Sequence, residues 1–318
     1  MIYRRLGASG CRVSAVSLGS WLTFGESVDQ ATTDACIRAA LDHGVNLFDT
    51  ADIYHAGDAE RALARSLAGV RRESVVLATK VFWPVAPGPN DRGLSRKHVV
   101  EGCHAALERL GTDYIDLLQC HRFDETTPVD ETVRAMEDLI RQGKILYWGT
   151  SLWSASQITW ACAEADRRNA YRPVSNQPEY NLLEWSIERE VMPTSHALGV
   201  GQIVYCPLAL GILTGKYRGG EVPAGSRAAT DAGAPIVKPR LNEHNLRLTA
   251  RLVELAGDLG LTAAQLALAW VLRRPEVSSA ITGATRPEQV VENAKAADVT
   301  LAPEVVELLE AWKRGEGL

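Results

Sequence analysis

The chain alternates short apolar runs with amphipathic stretches of helical spacing, and this alternation narrows the possible folds most. Each run is about as long as a strand and rich in Val, Ile and Leu, as in parallel strands covered on both faces. The predicted strands are residues 13–20, 45–49, 75–80, 114–121, 145–150, 174–177, 202–206 and 277–283. Strands that alternate with helices in this way predict either a doubly wound sheet or a closed eight-stranded α/β barrel.

Helix start and stop signals lie between the predicted strands. Ser95 can cap a helix whose apolar residues recur every three or four positions until Gly111 ends it. A second helix is predicted to begin at Thr127 and Pro128 and to end at Gly143. These signals place amphipathic helices in the connections between strands.

Two segments depart from the alternation. Residues 1–12 predict a small hairpin before the first strand, which could close the bottom of a barrel. Residues 207–243 form a long Gly- and Pro-rich stretch without a pattern of their own, which is typical of a functional lid or binding loop. Since no linker separates two halves of the chain, we expect one domain over residues 1–318.

Composition excludes several classes of protein. The chain is 46% hydrophobic and 23% charged, and 34 basic against 39 acidic residues give a net charge of −5. This balance argues against a nucleic-acid-binding protein. Neither a membrane span nor a hydrophobic signal segment is evident, so we expect a cytoplasmic protein. The six cysteines lack metal-site spacing, so we expect reduced thiols and no metal.

Polar residues stand at the carboxyl ends of three consecutive predicted strands. Asp49, Lys80 and His121 end the second, third and fourth strands, and Tyr54 follows Asp49 in the loop. In a parallel barrel these ends meet on one face, where active sites lie. A nearby ammonium lowers the pKa of a phenol, so Lys80, held by Asp49, would make Tyr54 a usable proton donor. His121 could then hydrogen-bond a substrate carbonyl.

Each of these residues alone is more often structural, and only their shared position favours catalysis. Asp116, inside the fourth strand, is interpreted as structural. No G-x-G-x-x-G follows a strand, so a Rossmann dinucleotide site has no support. Residues 211–217 differ from a P-loop in spacing and in their last residue, which excludes that motif as well.

At this point the sequence resembles the aldo-keto reductases. Residues 44–54, 78–80 and 114–121 are similar to that family's Asp/Tyr, Lys and His motifs. Within the family, it most resembles the branch of voltage-gated potassium channel β subunits and their bacterial relatives. The segments that carry this second resemblance are residues 19–25, 92–98, 147–151, 206–209 and 215–217. The resemblance implies a (β/α)8 TIM barrel that binds NADPH without a Rossmann fold.

The resemblance also implies roles for individual residues. Asp49, Tyr54, Lys80 and His121 correspond to a catalytic tetrad. The implied cofactor contacts are Trp21, Asp49, Ser151, Gln177, Cys206, Pro207, Leu208, Ala209, Lys216, Arg227, Gly283, Thr285, Arg286, Gln289, Glu292 and Asn293. The implied substrate pocket comprises Trp21, Tyr54, Phe82, Trp83 and His121, with Trp153 as a further aromatic candidate.

The segment 285–288 supports the cofactor assignment independently. Thr285 and Glu288 have the spacing of a capping box that opens a helix. A helix N-terminus beside Arg286 favours a phosphate, and the 2′-phosphate of NADP is the natural candidate. We therefore expect NADPH rather than NADH.

Three functions remain open at this stage. The leading hypothesis is NADPH-dependent reduction of aldehydes or ketones with Tyr54 as general acid. The alternatives are an NADPH-binding regulatory or channel-accessory subunit with low turnover, and a phosphate-binding isomerase or aldolase on the same barrel. The channel β subunits carry Asn where this chain has His121, which favours the reductase. Leu152 and Gly225 also depart from that branch, which would speed cofactor exchange.

The expected partner is a small-molecule carbonyl compound, without nucleic acid or membrane insertion. The resemblance further suggests a homo-oligomer, with a tetramer as the first state to test. Because the hairpin follows Met1 directly, we expect no channel-blocking segment.

Overall fold

The computed structural model describes residues 1–25 and 27–317, and within them eight parallel strands close into a barrel. A separate antiparallel hairpin precedes the barrel. The hairpin strands are β1 (Tyr3–Arg5) and β2 (Arg12–Ser14). The barrel strands are β3 (Val16–Gly19), β4 (Leu47–Asp49), β5 (Val76–Val81), β6 (Ile115–Cys120), β7 (Ile145–Ser151), β8 (Ser175–Gln177), β9 (Gly201–Val204) and β10 (Val277–Thr282). Strand β10 pairs with both β9 and β3, which completes the circle.

Helices fill the connections and cover the outside of the barrel. They are α1 (Gln30–Asp42), α2 (Asp58–Ser66), α3 (Arg96–Leu110), α4 (Val129–Arg141), α5 (Ala155–Arg167), α6 (Val191–Ala197), α7 (Ala234–Val237), α8 (Glu243–Asp258), α9 (Ala263–Leu272), α10 (Pro287–Lys295) and α11 (Pro303–Lys313). Short 3-10 turns lie at Tyr54–Gly57, Arg72–Ser74, Ser186–Glu188, Ala209–Thr214, Arg218–Gly220, Arg227–Ala229, Lys238–Arg240 and Ala296–Asp298. The (β/α)8 TIM barrel predicted from the sequence is confirmed.

Helices α3 and α4 begin at the capping residues predicted from the sequence, and α3 also ends at one. The Ser95 hydroxyl accepts from the His98 backbone N–H at 3.2 Å and caps α3. Gly111 ends the same helix in the left-handed region, at φ 61°, where glycine carries no Cβ penalty. Helix α4 starts at Val129 directly after Pro128, as predicted.

The first predicted strand is divided in the structure. Val13 and Ser14 belong to the hairpin, where Val13 pairs with Arg4, and the barrel strand begins only at Val16. Leu6 and Val13 are fully buried and pack in one cluster with interior barrel residues such as Leu117. The hairpin therefore closes the bottom of the barrel, at the end opposite the polar strand ends.

The segment 207–243 is not the patternless loop that was expected. It contains three short 3-10 turns and α7 before the turn at Lys238–Arg240. Leu213, Tyr217 and Val237 are buried in the cluster formed with α8 and α9. This apolar contact gives regular structure to a segment whose Gly and Pro content predicted an irregular loop.

Within the described ranges, no single helix is long and apolar enough to cross a bilayer. Helices α8 and α9 meet the length and composition criteria only when taken together, and they are bent by 96°.

Candidate active site

The predicted strand-end residues meet at the carboxyl end of the barrel. Asp49 ends β4, Lys80 lies in β5, His121 follows β6, and Tyr54 begins a 3-10 turn. The Lys80 Nζ atom donates to Asp49 Oδ1 at 2.6 Å, to the Thr50 carbonyl at 2.8 Å and to the Tyr54 hydroxyl at 3.2 Å. The rings of Tyr54 and His121 stand edge to face with centroids 5.8 Å apart.

The Lys80 ammonium is fully buried and depends on Asp49 for its charge. Burial works against the ammonium, but Asp49 and Tyr54 together raise the pKa of Lys80 above its ordinary value. The second Asp49 oxygen accepts from Gln177 Nε2 at 2.8 Å and from Gln119 Nε2 at 3.3 Å. Asp49 is thus held by hydrogen bonds on both of its oxygens.

The pKa of Tyr54 moves against the prediction. Lys80 does act to lower it, but burial outweighs the nearby ammonium and raises the pKa of Tyr54 overall. The phenol therefore stays protonated at neutral pH. A protonated phenol that already contacts an ammonium is suited to donating a proton, because the ammonium stabilises the phenolate left behind.

His121 is held neutral by its surroundings. Burial, followed by the positive charges of Lys80 and Arg122, lowers the pKa of His121 to about 2. Its Nδ1 atom is buried without a hydrogen-bond partner, while the side chain lines a cavity. A neutral imidazole can donate one N–H to a carbonyl oxygen without competing with Tyr54 as the acid.

The site opens into a long cavity of about 1180 Å³. This volume exceeds the roughly 300–1,000 Å³ typical of pockets for drug-sized ligands. Almost all predicted cofactor residues line it: Trp21, Asp49, Ser151, Gln177, Cys206, Pro207, Leu208, Lys216, Arg227, Gly283, Thr285, Arg286, Gln289, Glu292 and Asn293. Ala209 does not line the cavity, since its side chain is buried in the cluster behind it.

Most of the residues predicted for the substrate pocket line the cavity, and the others lie behind its wall. Trp21, Tyr54, Trp83 and His121 line the cavity. Phe82 lies outside the lining and supports Trp83 edge to face, with ring centroids 5.1 Å apart. Trp153 is buried against Phe123 and is also absent from the lining.

Three basic side chains, Lys216, Arg227 and Arg286, line the same cavity. Burial, and then the charges of Arg227 and Arg286, lower the pKa of Lys216. Among the residues that the structure describes, Lys216 and Arg227 form no ion pair, and Arg286 reaches only Glu288 at 4.0 Å. Basic groups with a single distant carboxylate among them suit a bound polyanion, and the phosphates of NADP fit this requirement.

The capping box predicted at residues 285–288 is wrong. Helix α10 starts at Pro287, with Arg286 as its N-cap and without a side-chain cap. Proline fixes the first helical position, so the cap falls one residue later than predicted. Gln289 Oε1 instead accepts from the Thr285 backbone N–H at 2.8 Å. The first N–H groups of α10 therefore lack a side-chain cap beside Arg286, which suits an anion.

Sequence reasoning missed several residues of the site. Arg122, Tyr205 and His55 line the cavity near Tyr54, and Gln119 contacts Asp49. Arg122 could have been found, because it directly follows the strand-end His121. Asp116 is structural, as interpreted: it accepts from Arg72 Nη2 at 2.5 Å and from the Leu77 N–H at 2.9 Å. In the described part of the chain, no cluster of His, Cys, Asp or Glu could hold a metal ion.

Comparison with known proteins agrees with this geometry. Residues 15–314 match the profile described as "Aldo/keto reductase family". The chain is 48% identical to a probable voltage-gated potassium channel subunit beta from Oryza sativa subsp. japonica, over 98% of this chain and 96% of that protein. It is 46% identical to a probable channel subunit beta from Arabidopsis thaliana, with the same coverage. A putative channel subunit beta from Schizosaccharomyces pombe is 43% identical over 97% of this chain and 92% of its own length.

Proposed function

The chain belongs to the aldo/keto reductase family, and we propose that it reduces aldehydes or ketones to alcohols with NADPH. The observation that carries the proposal is the Tyr54 hydroxyl 3.2 Å from a buried ammonium that Asp49 holds charged. A neutral His121 stands beside this phenol. Such a site can protonate a carbonyl oxygen while the carbonyl carbon is reduced.

The four residues divide the work on the carbonyl group. His121 donates its N–H to the carbonyl oxygen and orients it against the Tyr54 hydroxyl. Tyr54 then passes its proton to that oxygen, and Lys80 stabilises the phenolate that remains. Asp49 keeps Lys80 in place and charged. When bound, NADPH supplies the hydride.

The residues of the long cavity support NADP as the cofactor. Lys216, Arg227 and Arg286 would hold its phosphates, with the 2′-phosphate beside Arg286 at the start of α10. Gln177 contacts Asp49 and Ser151 contacts Gln177, so both lie near the tetrad and would contact the nicotinamide amide. Ser151 Oγ donates to the Gln177 backbone carbonyl at 3.0 Å, and Gln177 Nε2 donates to Asp49 Oδ2 at 2.8 Å, so both side chains are held.

The names of the relatives support a second function, because they describe voltage-gated potassium channel β subunits. On that reading the chain would bind NADPH and regulate a partner with little turnover. His121 favours the reductase, because a neutral imidazole next to a protonated phenol serves catalysis and is not needed for binding the cofactor alone. In either case we propose a cytoplasmic protein, and for the reductase a small carbonyl substrate.

Replacing Tyr54 by Phe separates these functions. We expect Tyr54→Phe to lower the rate of 4-nitrobenzaldehyde reduction by about a hundredfold or more, since a general acid contributes about 10²–10⁴. NADPH binding, followed by cofactor fluorescence, should change less than about twofold, because the hydroxyl is not a phosphate contact. Tyr171→Phe, at an exposed side chain, is the matched control and should keep the parent rate.

Two outcomes would contradict the reductase. A Tyr54→Phe variant that turns over at the parent rate would remove Tyr54 as the acid. A parent protein that binds NADPH tightly but reduces no carbonyl compound would support the regulatory function instead.

A further inference from the structure

Arg122 is a cation at the substrate end of the cavity that the proposed chemistry does not use. It follows His121 and lines the cavity beside Trp83 and Tyr54. Its Nη1 atom donates to the His121 carbonyl at 2.5 Å, and its Cζ atom lies 5.4 Å from the centre of the Trp83 ring. The backbone bond and the aromatic ring hold the guanidinium in one place.

No counter-ion accompanies this guanidinium within residues 1–25 and 27–317. No carboxylate of that part lies within 4.0 Å of Arg122, and the His121 carbonyl is the one acceptor found there for its five N–H donors. The side chain is half-buried, and burial lowers the pKa of Arg122. Removing a cation from water without a partner costs free energy, so a ligand that supplies an anion would bind favourably here.

The charges within the tetrad cancel. Asp49 and Lys80 neutralise each other, Tyr54 is protonated, and His121 is neutral. Arg122 therefore leaves this end of the cavity with a net positive charge before any substrate enters. Lys216, Arg227 and Arg286 do not change this balance, because the phosphates of the proposed cofactor would neutralise them.

We propose that Arg122 binds a carboxylate on the substrate, so that the preferred substrates are aldehydes or ketones that also carry an acid group. The inference rests on the proposed function. Since Nη1 already contacts the His121 carbonyl, the remaining N–H groups are free to form a two-point contact with a carboxylate. Trp83 and Tyr205 beside it suit an aromatic or short apolar spacer between the two groups.

The reaction itself is unchanged by this contact. The carbonyl carbon accepts the hydride, its oxygen accepts the Tyr54 proton, and the carboxylate is bound but not altered. Arg122 thus determines specificity and is not the acid.

The test compares a charged and a neutral aldehyde of nearly the same shape, 4-formylbenzoate and methyl 4-formylbenzoate. We expect the parent protein to prefer the benzoate in kcat/KM, and Arg122→Met to lower that preference about tenfold or more, chiefly through KM. Arg122→Lys should retain part of the preference, since it keeps the charge but not the planar fork. Arg189→Met, at a side chain 86% exposed, is the control and should keep the parent preference.

A binding measurement decides the inference independently of turnover. The parent and Arg122→Met proteins, both loaded with NADP⁺, would be titrated calorimetrically with 4-(hydroxymethyl)benzoate. The variant should bind this compound about tenfold or more weakly than the parent. The neutral 1,4-benzenedimethanol should show no comparable difference between the two proteins. If no aldehyde is reduced, the proposed function fails, while this titration still tests Arg122.

Two results would overturn the role of Arg122. One is a parent protein that binds and reduces the charged and neutral compounds equally well. The other is an Arg122→Met variant whose preference matches that of Arg189→Met.

Discussion

Burial and charge act in opposite directions on the groups that surround Tyr54. Burial raises the pKa of Tyr54 more than Lys80 lowers it, whereas Asp49 and Tyr54 keep Lys80 charged despite complete burial. Burial and two cations together keep His121 neutral. The site therefore holds one proton ready for a carbonyl oxygen, on Tyr54, over the usual range of assay pH.

Asp52, between Asp49 and Tyr54, is a buried carboxyl group outside this chemistry. Neither of its oxygens has a hydrogen-bond partner among the described residues. Burial, followed by the nearby charge of Glu60, raises the pKa of Asp52 to about 7. The folded protein thus retains a proton that the unfolded chain releases near its ordinary pKa of 3.8.

Asp52→Asn should stabilise the protein more at high pH than at low pH. Because the pKa of Asp52 is raised in the folded state, stability falls as pH rises from about 4 through 7, and Asn removes that loss. Between pH 5 and pH 8, the advantage of the variant in free energy of unfolding should grow by about 3 kcal/mol. Urea unfolding at both pH values measures it.

Asp113→Asn, at an exposed carboxylate, is the control for this experiment. An Asp52→Asn advantage that stays constant between the two pH values would contradict the buried, protonated carboxyl group.

At the residue scale, the sequence predicted which side chains meet but not the balance of forces upon them. Asp49, Lys80 and His121 could be found because parallel strand ends converge. The net pKa direction at Tyr54 could not, since it depends on how deeply the surrounding chain buries the phenol. The position of Arg122 after His121 could have marked it as a site residue, but its lack of a partner is visible only in three dimensions.

At the scale of elements, the turn Ala209–Thr214 positions Lys216 in the long cavity. Gly211 in this turn has φ 92°, and a Cβ atom there would lie 2.7 Å from Lys216 Nζ. Gly225, in the same segment, has φ 72°, but a Cβ there would meet nothing within 4 Å. Alanine would introduce backbone strain at both positions, but only at position 211 would its methyl group contact Lys216.

Gly211→Ala should weaken NADPH binding more than Gly225→Ala does. The added methyl group displaces the Lys216 ammonium, which can move at low cost to folding but loses its place beside the phosphates. We expect Kd for NADPH, from fluorescence titration, to rise about tenfold in Gly211→Ala, the scale of a lost charge-assisted hydrogen bond. Equal changes in the two variants would contradict a phosphate contact by Lys216.

Element prediction succeeded where periodicity was strong and failed where special backbone geometry decides. The alternation of strands and helices is confirmed, and so are the ends of α3. The turns within 207–243 depend on left-handed residues such as Leu210, at φ 59°, which residue type does not signal. The cap of α10 was misplaced because Thr285 and Glu288 have capping-box spacing but Pro287 fixes the helix start.

At the scale of the whole molecule, residue patterns alone left a closed barrel and a doubly wound sheet as open alternatives. The two differ in whether β10 pairs with β3, a contact between opposite ends of the chain that local spacing cannot reveal.

A buried charge cluster also joins distant parts of the chain. Lys313 in α11 donates to Glu188 Oε2 at 2.7 Å, and Trp270 in α9 donates to Glu310 Oε1 at 3.0 Å. The C-terminal helix is thereby fixed to the outside of the barrel.

Transfer of labelled hydrogen tests the proposed reductase most directly. The parent protein would be incubated with 4-nitrobenzaldehyde and NADPH carrying deuterium at both C4 positions of the nicotinamide, and the alcohol analysed by mass spectrometry. We predict one deuterium on the benzylic carbon of each alcohol molecule, with about a hundredfold or more less labelled alcohol from Tyr54→Phe. An alcohol without deuterium, or no alcohol from a protein that binds NADPH, would contradict carbonyl reduction at this site.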